Sequence, residues 1–258
     1  MPALLKLHTF SVSHFSEKAR WLLDAGGIDY VEEPWVPFFH IVKALRKGGR
    51  GATTVPVLDT GSGYVQDSTC ILLWLEKNRA PYALLPSDAA LREQVLAVED
   101  RFDRVGNHVI RHAYSAALDD AAGITAIWSI DATPMQAMIL RRSYPLLRLV
   151  FRSKLKLGDA AAVATSERKF GEALDWLAEQ LKDGRRYLVG TQLSAADITA
   201  AALLAPLACP DEHPVYSRAD FREGIAPLRA QWAGHPALEW VRGIYRAHRQ
   251  YPAAPQKR

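Results

Sequence analysis

The chain has 258 residues, of which 49% are hydrophobic and 23% are charged, so it can bury the core of one large domain or of two smaller ones. This composition argues against a long disordered region, apart from the tail YPAAPQKR. The net charge of +4 is concentrated in one segment, which argues against a surface built for nucleic acid.

The first eighty residues predict a small mixed sheet with helices on its faces. LLKLHTF is typical of a buried strand, and SEKARWLLDAGG of a helix with Ser16 as its N-cap and Glu17 in its first turn. The strand DYVEEPW, the helix PFFHIVKALRKGG, the hairpin VPVLDTGSGYVQ and the helix DSTCILLWLEKN follow in that order. Asp67 or Ser68 would cap the last of these helices. The predicted order is therefore β-α-β-α-β-β-α.

The rest of the chain predicts helices only. After the connector RAPYALLPSD, apolar residues recur at helical spacing. The first of these helices is long and can bend near Gly106. A later one begins in LSAADI, where Ser194 is followed three residues on by Asp197, the pattern of a capping box. The predicted division is a first domain, a linker and an all-helical domain, over 1–80, 81–90 and 91–258.

The segment 134–158 holds six Lys or Arg residues and no acid. Removing these six positive charges from the net charge of +4 leaves −2 for the rest of the chain. Two interpretations stay open: a helix with a solvated basic face, which we favour, or a surface that attracts anionic substrates or lipid headgroups.

The turn between the first strand and the first helix carries serines where a thiol-redox protein would carry cysteines. Ser13 and Ser16 have the spacing of a Cys-x-x-Cys pair. Pro56, in VPVL, is either an ordinary proline at a strand edge or the cis-proline of a thioredoxin-like fold. In the second case the backbone of Val55 is free to pair with a bound peptide.

The residues QDST, at the start of the third helix, are the second part of this pattern. Asp67 and Ser68 could simply cap the helix. Alternatively, Ser68 and the helix N-terminus receive a carboxylate while Asp67 receives an ammonium group. A ligand with an amino-acid head and a peptide backbone would satisfy both groups, and glutathione has that shape.

These segments together resemble the glutathione transferases. SHFSEKARWLLDAGGIDY, TTVPVLD, QDSTCILLWLEK, LLPSDAALR and LSAADI occur in the order and at about the spacing of that family. The resemblance covers nearly the whole chain and implies an N-terminal thioredoxin-like α/β domain followed by an all-α domain. It also implies that Ser194 and Asp197 are structural.

The resemblance implies a site for glutathione as co-substrate. Ser13 matches the residue that activates the thiol, and Ser11 is the second choice. The residues that would bind the rest of glutathione are Val55 through its backbone, Pro56, and Asp67 and Ser68 at the γ-glutamyl head. For the glycyl carboxylate the sequence offers His40, Lys43, Arg46, Lys47 and Arg50, of which His40 and Arg50 are our choices.

The electrophile would bind in the helical domain. Arg111, His112 and Tyr114 are candidates for lining its pocket. His108 and His112 also stand four residues apart, but without a third ligand they do not predict a metal site. The segment 119–159 adds aromatic and methionine residues that could belong to the core or to the pocket: Trp128, Met135, Met138, Tyr144 and Phe151.

Three functions compete on this pattern. The first is a detoxifying transferase that conjugates the glutathione thiolate to small hydrophobic electrophiles. The second is a binding or scaffold protein without catalysis on the same fold. The third, a glutathione-dependent thiol reductase, requires a cysteine nucleophile that neither Ser13 nor Ser16 provides.

The predicted location is the cytoplasm. The N-terminus MPALLKLHTF lacks the pattern of a signal peptide, and the run ITAAALLAPLAC is too short to span a bilayer. Cys70 and Cys209 lie among aliphatic residues, which predicts two buried thiols in a reducing compartment. The resemblance implies a homodimer. Membrane contact through 134–158 stays open.

Overall fold

The computed structural model describes residues 4–47, 53–79 and 81–251, with the side chains of Val42, Arg46 and Lys47 left out. The strands are β1 (Leu5–Thr9), β2 (Tyr30–Pro34), β3 (Val57–Asp59) and β4 (Tyr64–Gln66). The helices are α1 (His14–Ala25), α2 (Ile41–Lys47), α3 (Ser68–Asn78), α4 (Ala89–Ala117), α5 (Ala121–Trp128), α6 (Pro134–Lys154), α7 (Ala160–Gln180), α8 (Ala195–Ala208), α9 (Ala219–Gly224), α10 (Ala226–Gln231) and α11 (Pro236–His248). The predicted order β-α-β-α-β-β-α and the all-helical remainder are confirmed.

The strands form one mixed sheet in the order β2-β1-β3-β4. β1 pairs with β2 in parallel and with β3 antiparallel, so that Leu7 lies opposite both Glu32 and Leu58. β3 and β4 form the predicted hairpin. Leu5, Leu7 and Leu58 are buried because the central strands are covered by helices. The turn that follows β1 leads from this sheet into α1.

Helix α1 begins three residues earlier than predicted. Its N-cap is Ser13, not Ser16, and the Ser13 Oγ accepts a hydrogen bond from the Ser16 backbone N–H at 3.2 Å. Ser16 is buried in the first turn, where its own Oγ accepts from the Phe10 backbone N–H at 3.3 Å. Both serines suit an N-cap by residue type, so residue type alone does not decide between them.

The helical part is built around α8, in which every residue is buried. Its sequence AADITAAALLAPLA is apolar on all sides, as expected for a helix packed on every face. It contacts α4, α11 and α1, and so joins the helices to the sheet domain. The predicted capping box is present: the Asp197 carboxylate accepts from the Ser194 backbone N–H at 2.9 Å and from the Leu188 N–H at 2.7 Å.

A second apolar cluster forms where α5 and α6 pack against α4. Trp128 and Tyr144 belong to this cluster, together with Val36, Leu118, Ile124 and Leu140. Phe151 is half-buried and packs against its edge. Met135 and Met138 are instead 61% and 38% exposed. The aromatic residues of this segment therefore build the core, whereas its methionines face outward.

The two cysteines are free but differ in burial. Cys209 is buried, and burial raises the pKa of its thiol to about 11. Cys70 is only half-buried, so the prediction of two buried thiols is wrong for it. It lies on α3 beside the buried Ile71 and Leu72, on a side of the helix that the core does not cover. In the described ranges, no helix is long and apolar enough to cross a bilayer.

Candidate functional site

A cavity of about 400 Å³ lies between the sheet domain and the helical domain. The sheet domain contributes the β1–α1 turn, the loop before β3 and the start of α3. The helical domain contributes one face of α4 and parts of α5, α6, α8 and α9. The cavity is thus bounded on one side by the β1–α1 turn with Ser13, and on the other by an apolar wall from the helical domain.

The β1–α1 turn brings Ser13 to the cavity but not Ser11. Ser13 lines the cavity at the N-terminus of α1, where the helix dipole is positive. Its Oγ accepts from the Ser16 backbone N–H and donates to no group among the described residues, which leaves its proton for a ligand. The hydroxyl of Ser11 donates to Asp131 Oδ2 at 2.6 Å, and Ser11 is not part of the cavity wall.

The loop before β3 reaches the same cavity. The Val55–Pro56 peptide bond is cis, and both residues line the cavity. The Pro56 carbonyl accepts from the Asp67 backbone N–H at 3.1 Å, which ties this loop to the start of α3. Val55 is half-buried.

The start of α3 presents two polar side chains to the cavity. Asp67 is the N-cap, and its Oδ1 accepts from the backbone N–H groups of Thr69 and Cys70 at 2.8 and 3.2 Å. Its backbone has a φ of 87°, a left-handed conformation that is rare for a residue other than glycine. Ser68 is 1% exposed, and its Oγ has no hydrogen-bond partner among the described residues. A buried unpartnered hydroxyl on a cavity wall is costly unless a ligand satisfies it.

A buried charge cluster beneath α3 was not predicted. The Lys18 ammonium donates to Asp103 Oδ1 at 2.8 Å, to Thr69 Oγ1 at 3.0 Å and to the Glu99 carboxylate. It joins α1, α3 and α4, and Asp103 also lines the cavity. A signal was present in the sequence: Glu99 interrupts the apolar face of α4 between Val95 and Phe102.

Of the basic residues proposed for the glycyl carboxylate, His40 lies apart from the cavity. It is buried with its ring edge-on to Phe10, and its Nε2 lies 2.8 Å from the Thr53 carbonyl. Arg50 lies outside the described residues. Among the described residues, Lys154 at the end of α6 brings an ammonium group to the cavity wall. Sequence analysis placed it in the basic segment but gave it no role.

The three pocket candidates on α4 are Arg111, His112 and Tyr114, and they lie on different faces of the helix. Tyr114 lines the cavity, in a stripe at helical spacing with Asn107 and Ile110. Arg111 donates to the Leu155 carbonyl at 2.7 Å and to Ser166 Oγ at 2.8 Å. His112 accepts from Trp232 Nε1 at 3.2 Å. Arg111 and His112 therefore face other helices.

The histidine pair on α4 does not form a metal site. His108 Nδ1 lies 3.0 Å from Ser166 Oγ, while His112 faces Trp232. Across the described parts of the chain, no group of three or more His, Cys, Asp or Glu side chains could hold a metal ion.

A buried polar network contacts the β1–α1 turn and the first turns of α1. The Tyr216 hydroxyl donates to the Val12 carbonyl at 2.9 Å, and the Tyr216 ring stacks on His213. Glu17, fully buried in α1, accepts from Arg249 Nε at 2.7 Å and from the Tyr251 hydroxyl at 2.8 Å. Burial alone would raise the pKa of Glu17, but the guanidinium groups around it hold that pKa down at about 2.

The helical wall of the cavity is largely apolar. Ile110, Ile124, Ile127 and Phe151 lie on it, and Tyr114 adds a hydroxyl that accepts from Trp128 Nε1 at 2.8 Å. Such a wall suits a small hydrophobic molecule with one polar group.

The fold defines the class of protein: a thioredoxin-like domain with a cis-proline loop, followed by a helical domain that closes the cavity. Residues 7–83 match the family "Glutathione S-transferase, N-terminal domain", and residues 160–230 match "Glutathione S-transferase, C-terminal domain". The chain therefore belongs to the glutathione S-transferase family.

Individual relatives share only part of the sequence or have low sequence identity. A glutathione S-transferase of Pseudomonas putida is 34% identical over 102 residues, which make up 37% of this chain and 44% of that protein. The structure of the β-etherase LigF from Sphingobium sp. strain SYK-6 gives a TM-score of 0.60 at 22% identity, over 93% of this chain and 98% of that one. A glutathione S-transferase from Methylobacterium radiotolerans, in complex with glutathione sulfonate, gives 0.57 at 20% identity, over 92% and 93%. At such identities the solved structures support the fold.

Proposed function

We propose that this chain is a glutathione transferase that joins the glutathione thiolate to small hydrophobic electrophiles. The observation that carries the proposal is the shared cavity of Ser13, the cis-Pro56 loop and the unpartnered Ser68 hydroxyl, opposite an apolar wall. Membership of the family and the glutathione sulfonate bound to the M. radiotolerans protein support glutathione as the thiol.

The γ-glutamyl head of glutathione binds at the start of α3 in this proposal. Its carboxylate accepts from the Ser68 hydroxyl and from the Ser68 backbone N–H, because Asp67 already accepts from the N–H groups of Thr69 and Cys70. Its ammonium group binds Asp67, whose Oδ1 takes the two capping bonds and leaves Oδ2 for the ligand. The backbone of Val55 pairs with the cysteinyl part. Because Lys154 lines the cavity and His40 does not, we assign the glycyl carboxylate to Lys154.

Ser13 stabilises the thiolate. A serine hydroxyl keeps its proton near neutral pH, but it can donate a hydrogen bond to a sulfur anion. This bond and the positive end of α1 lower the pKa of the bound thiol from the ordinary value of about 8.5. Ser11 is a weaker candidate because its proton is already donated to Asp131.

The reaction then needs no group beyond those on the cavity wall. The thiol proton leaves to solvent, and the sulfur attacks an electrophilic carbon held against the apolar side of the cavity. A carbon–sulfur bond forms, while the bond from that carbon to its leaving group breaks and the leaving group takes the electron pair. Phe15, Ile110 and Phe151 orient the electrophile by contact, and the Tyr114 hydroxyl lies nearby.

A matched pair of variants tests this proposal. Ser13→Ala should bind glutathione within a few-fold of the wild type but conjugate a chlorinated aromatic test electrophile about a hundredfold more slowly, as for the loss of one donor to a developing anion. Ser11→Ala, two residues away, should stay within a few-fold. Calorimetry and a conjugation assay measure both.

Two results would overturn the proposal. If the wild type does not bind glutathione, the site assignment is wrong. If it binds glutathione tightly but conjugates no electrophile, the protein is a binding or scaffold member of the family instead.

A further inference from the structure

Helix α6 exposes an apolar stripe to solvent. Met135, Leu146, Leu149 and Val150 are 61%, 65%, 62% and 49% exposed. Met138 and Ile139 are 38% and 40% exposed. At 100° per residue these six side chains fall within about 120° of the helix circumference. The opposite face carries Leu140 and Tyr144 into the core. The stripe is therefore a second apolar face with no partner among the described residues.

Basic residues surround this stripe. Arg142 lies within it, Arg141, Arg148 and Arg152 border one side, and Lys154 borders the other. Arg148 and Arg152 face Asp119, at 2.5 and 3.9 Å. Arg141 and Arg142 are exposed and have no carboxylate partner in the described ranges. An apolar face bordered by cations matches a surface that is apolar inside and anionic outside.

We propose that α6 binds flat on an anionic lipid bilayer, with its apolar stripe in the acyl boundary and its arginines at the headgroups. A helix of 21 residues is about 32 Å long and offers enough surface for such contact. The stripe runs along the side of the helix, so the contact lies in the plane of the bilayer.

Other partners fit this surface less well. A second copy would bring together two helices that each carry five positive charges, and like charges repel. Nucleic acid would match the charges but not the apolar stripe between them. The same helix also contributes Phe151 and Lys154 to the cavity, so a hydrophobic electrophile dissolved in the bilayer would lie close to the site.

Vesicle flotation tests the proposal with the full chain. Wild type should float with vesicles of phosphatidylglycerol and phosphatidylcholine, but not with phosphatidylcholine alone, and salt should weaken the binding. Arg141→Gln/Arg142→Gln should weaken partitioning about tenfold or more. Arg168→Gln/Lys169→Gln on α7 removes the same charge from another exposed helix and should leave partitioning unchanged.

The apolar part is tested separately. Leu146→Ser/Leu149→Ser should also weaken partitioning more than tenfold, whereas Leu73→Ser/Leu91→Ser, at other exposed leucines, should not. Circular dichroism and the conjugation rate in solution check that each variant is folded. The proposal is wrong if wild type does not float with anionic vesicles, or if the α6 variants float as well as wild type. It is also wrong if the α6 variants change only the oligomeric state in sedimentation, because the stripe then covers a second copy.

Discussion

Arg249 closes the buried network behind the Ser13 turn, and replacing it should destabilise the fold. Its side chain is 1% exposed. Its Nε donates to Glu17 Oε1 and its Nη1 to Asp24 Oδ2, each at 2.7 Å. Because Arg249 follows α11, this contact fastens the end of the described chain to α1, the helix that begins at Ser13.

The expected loss of stability follows from the Glu17 carboxylate, which stays buried when its cation is removed. Arg249→Met keeps most of the apolar stem and removes the charge, so the fully buried Glu17 carboxylate loses its nearest cation. Removing one partner of a buried pair costs about 3–5 kcal/mol. Glu17 keeps the Tyr251 hydroxyl at 2.8 Å and Arg20 at 3.3 Å, so we expect the lower end, about 3 kcal/mol. That corresponds to a melting temperature lower by roughly 6–12 °C.

Thermal and guanidinium unfolding, followed by tryptophan fluorescence, measure this loss. The control is Arg246→Met, at an exposed arginine in the last turn of α11, which should change the free energy of unfolding by less than about 0.5 kcal/mol. Glu17→Gln/Arg249→Met should cost less than the two single changes added together, because the buried charge is gone. An Arg249→Met protein as stable as the Arg246→Met control, or strictly additive single effects, would refute this view of the network.

Three further predictions concern stability and binding. Burial lowers the pKa of His14 to about 4 and of His213 to about 3, below the ordinary 6.5, so the unfolded state binds these protons first. The free energy of unfolding should therefore fall by about 1.4 kcal/mol per histidine per pH unit as the pH drops from 6.5 toward 4, and a flat profile in urea unfolding would contradict this. Asp197→Ala leaves buried donors unpaired and should cost about 3 kcal/mol, against about 1 for Ser194→Ala; equal losses in guanidinium unfolding would count against the capping box. Ser68→Ala removes a hydroxyl that has no partner among the described residues, so stability should hold while the Kd for glutathione rises about tenfold or more; an unchanged Kd in calorimetry would rule out the assigned contact.

The elements and their order were predictable because their signals are local. The capping box of α8 needs only Ser194 and Asp197, three residues apart, and the hairpin needs only the turn residues between β3 and β4. The start of α1 was missed by three residues for a local reason as well. Ser13 and Ser16 are equally good caps by residue type, but in the fold the Ser16 hydroxyl accepts from the Phe10 backbone N–H and Ser13 caps the helix.

The sequence did not predict which side chains face the cavity, because their orientation depends on contacts between residues distant in sequence. Arg111 and His112 stand beside Tyr114 on α4, but only Tyr114 faces the cavity, since the other two contact Leu155 and Trp232. Nothing near Glu17 indicates that its partner lies 232 residues further along the chain. Such pairs are set by how the helices pack, and a single sequence carries no record of that packing.

The central proposal is that the Ser13 hydroxyl holds bound glutathione as a thiolate, and a pH titration of the bound thiolate by its ultraviolet absorbance tests it most directly. In the wild type the pKa of the bound thiol should lie below about 7.5, compared with about 8.5 for an unperturbed thiol. In Ser13→Ala it should rise by about one unit or more, while Ser11→Ala should match the wild type. A bound thiol that titrates at the same pH in the wild type and in Ser13→Ala would contradict the role given to Ser13.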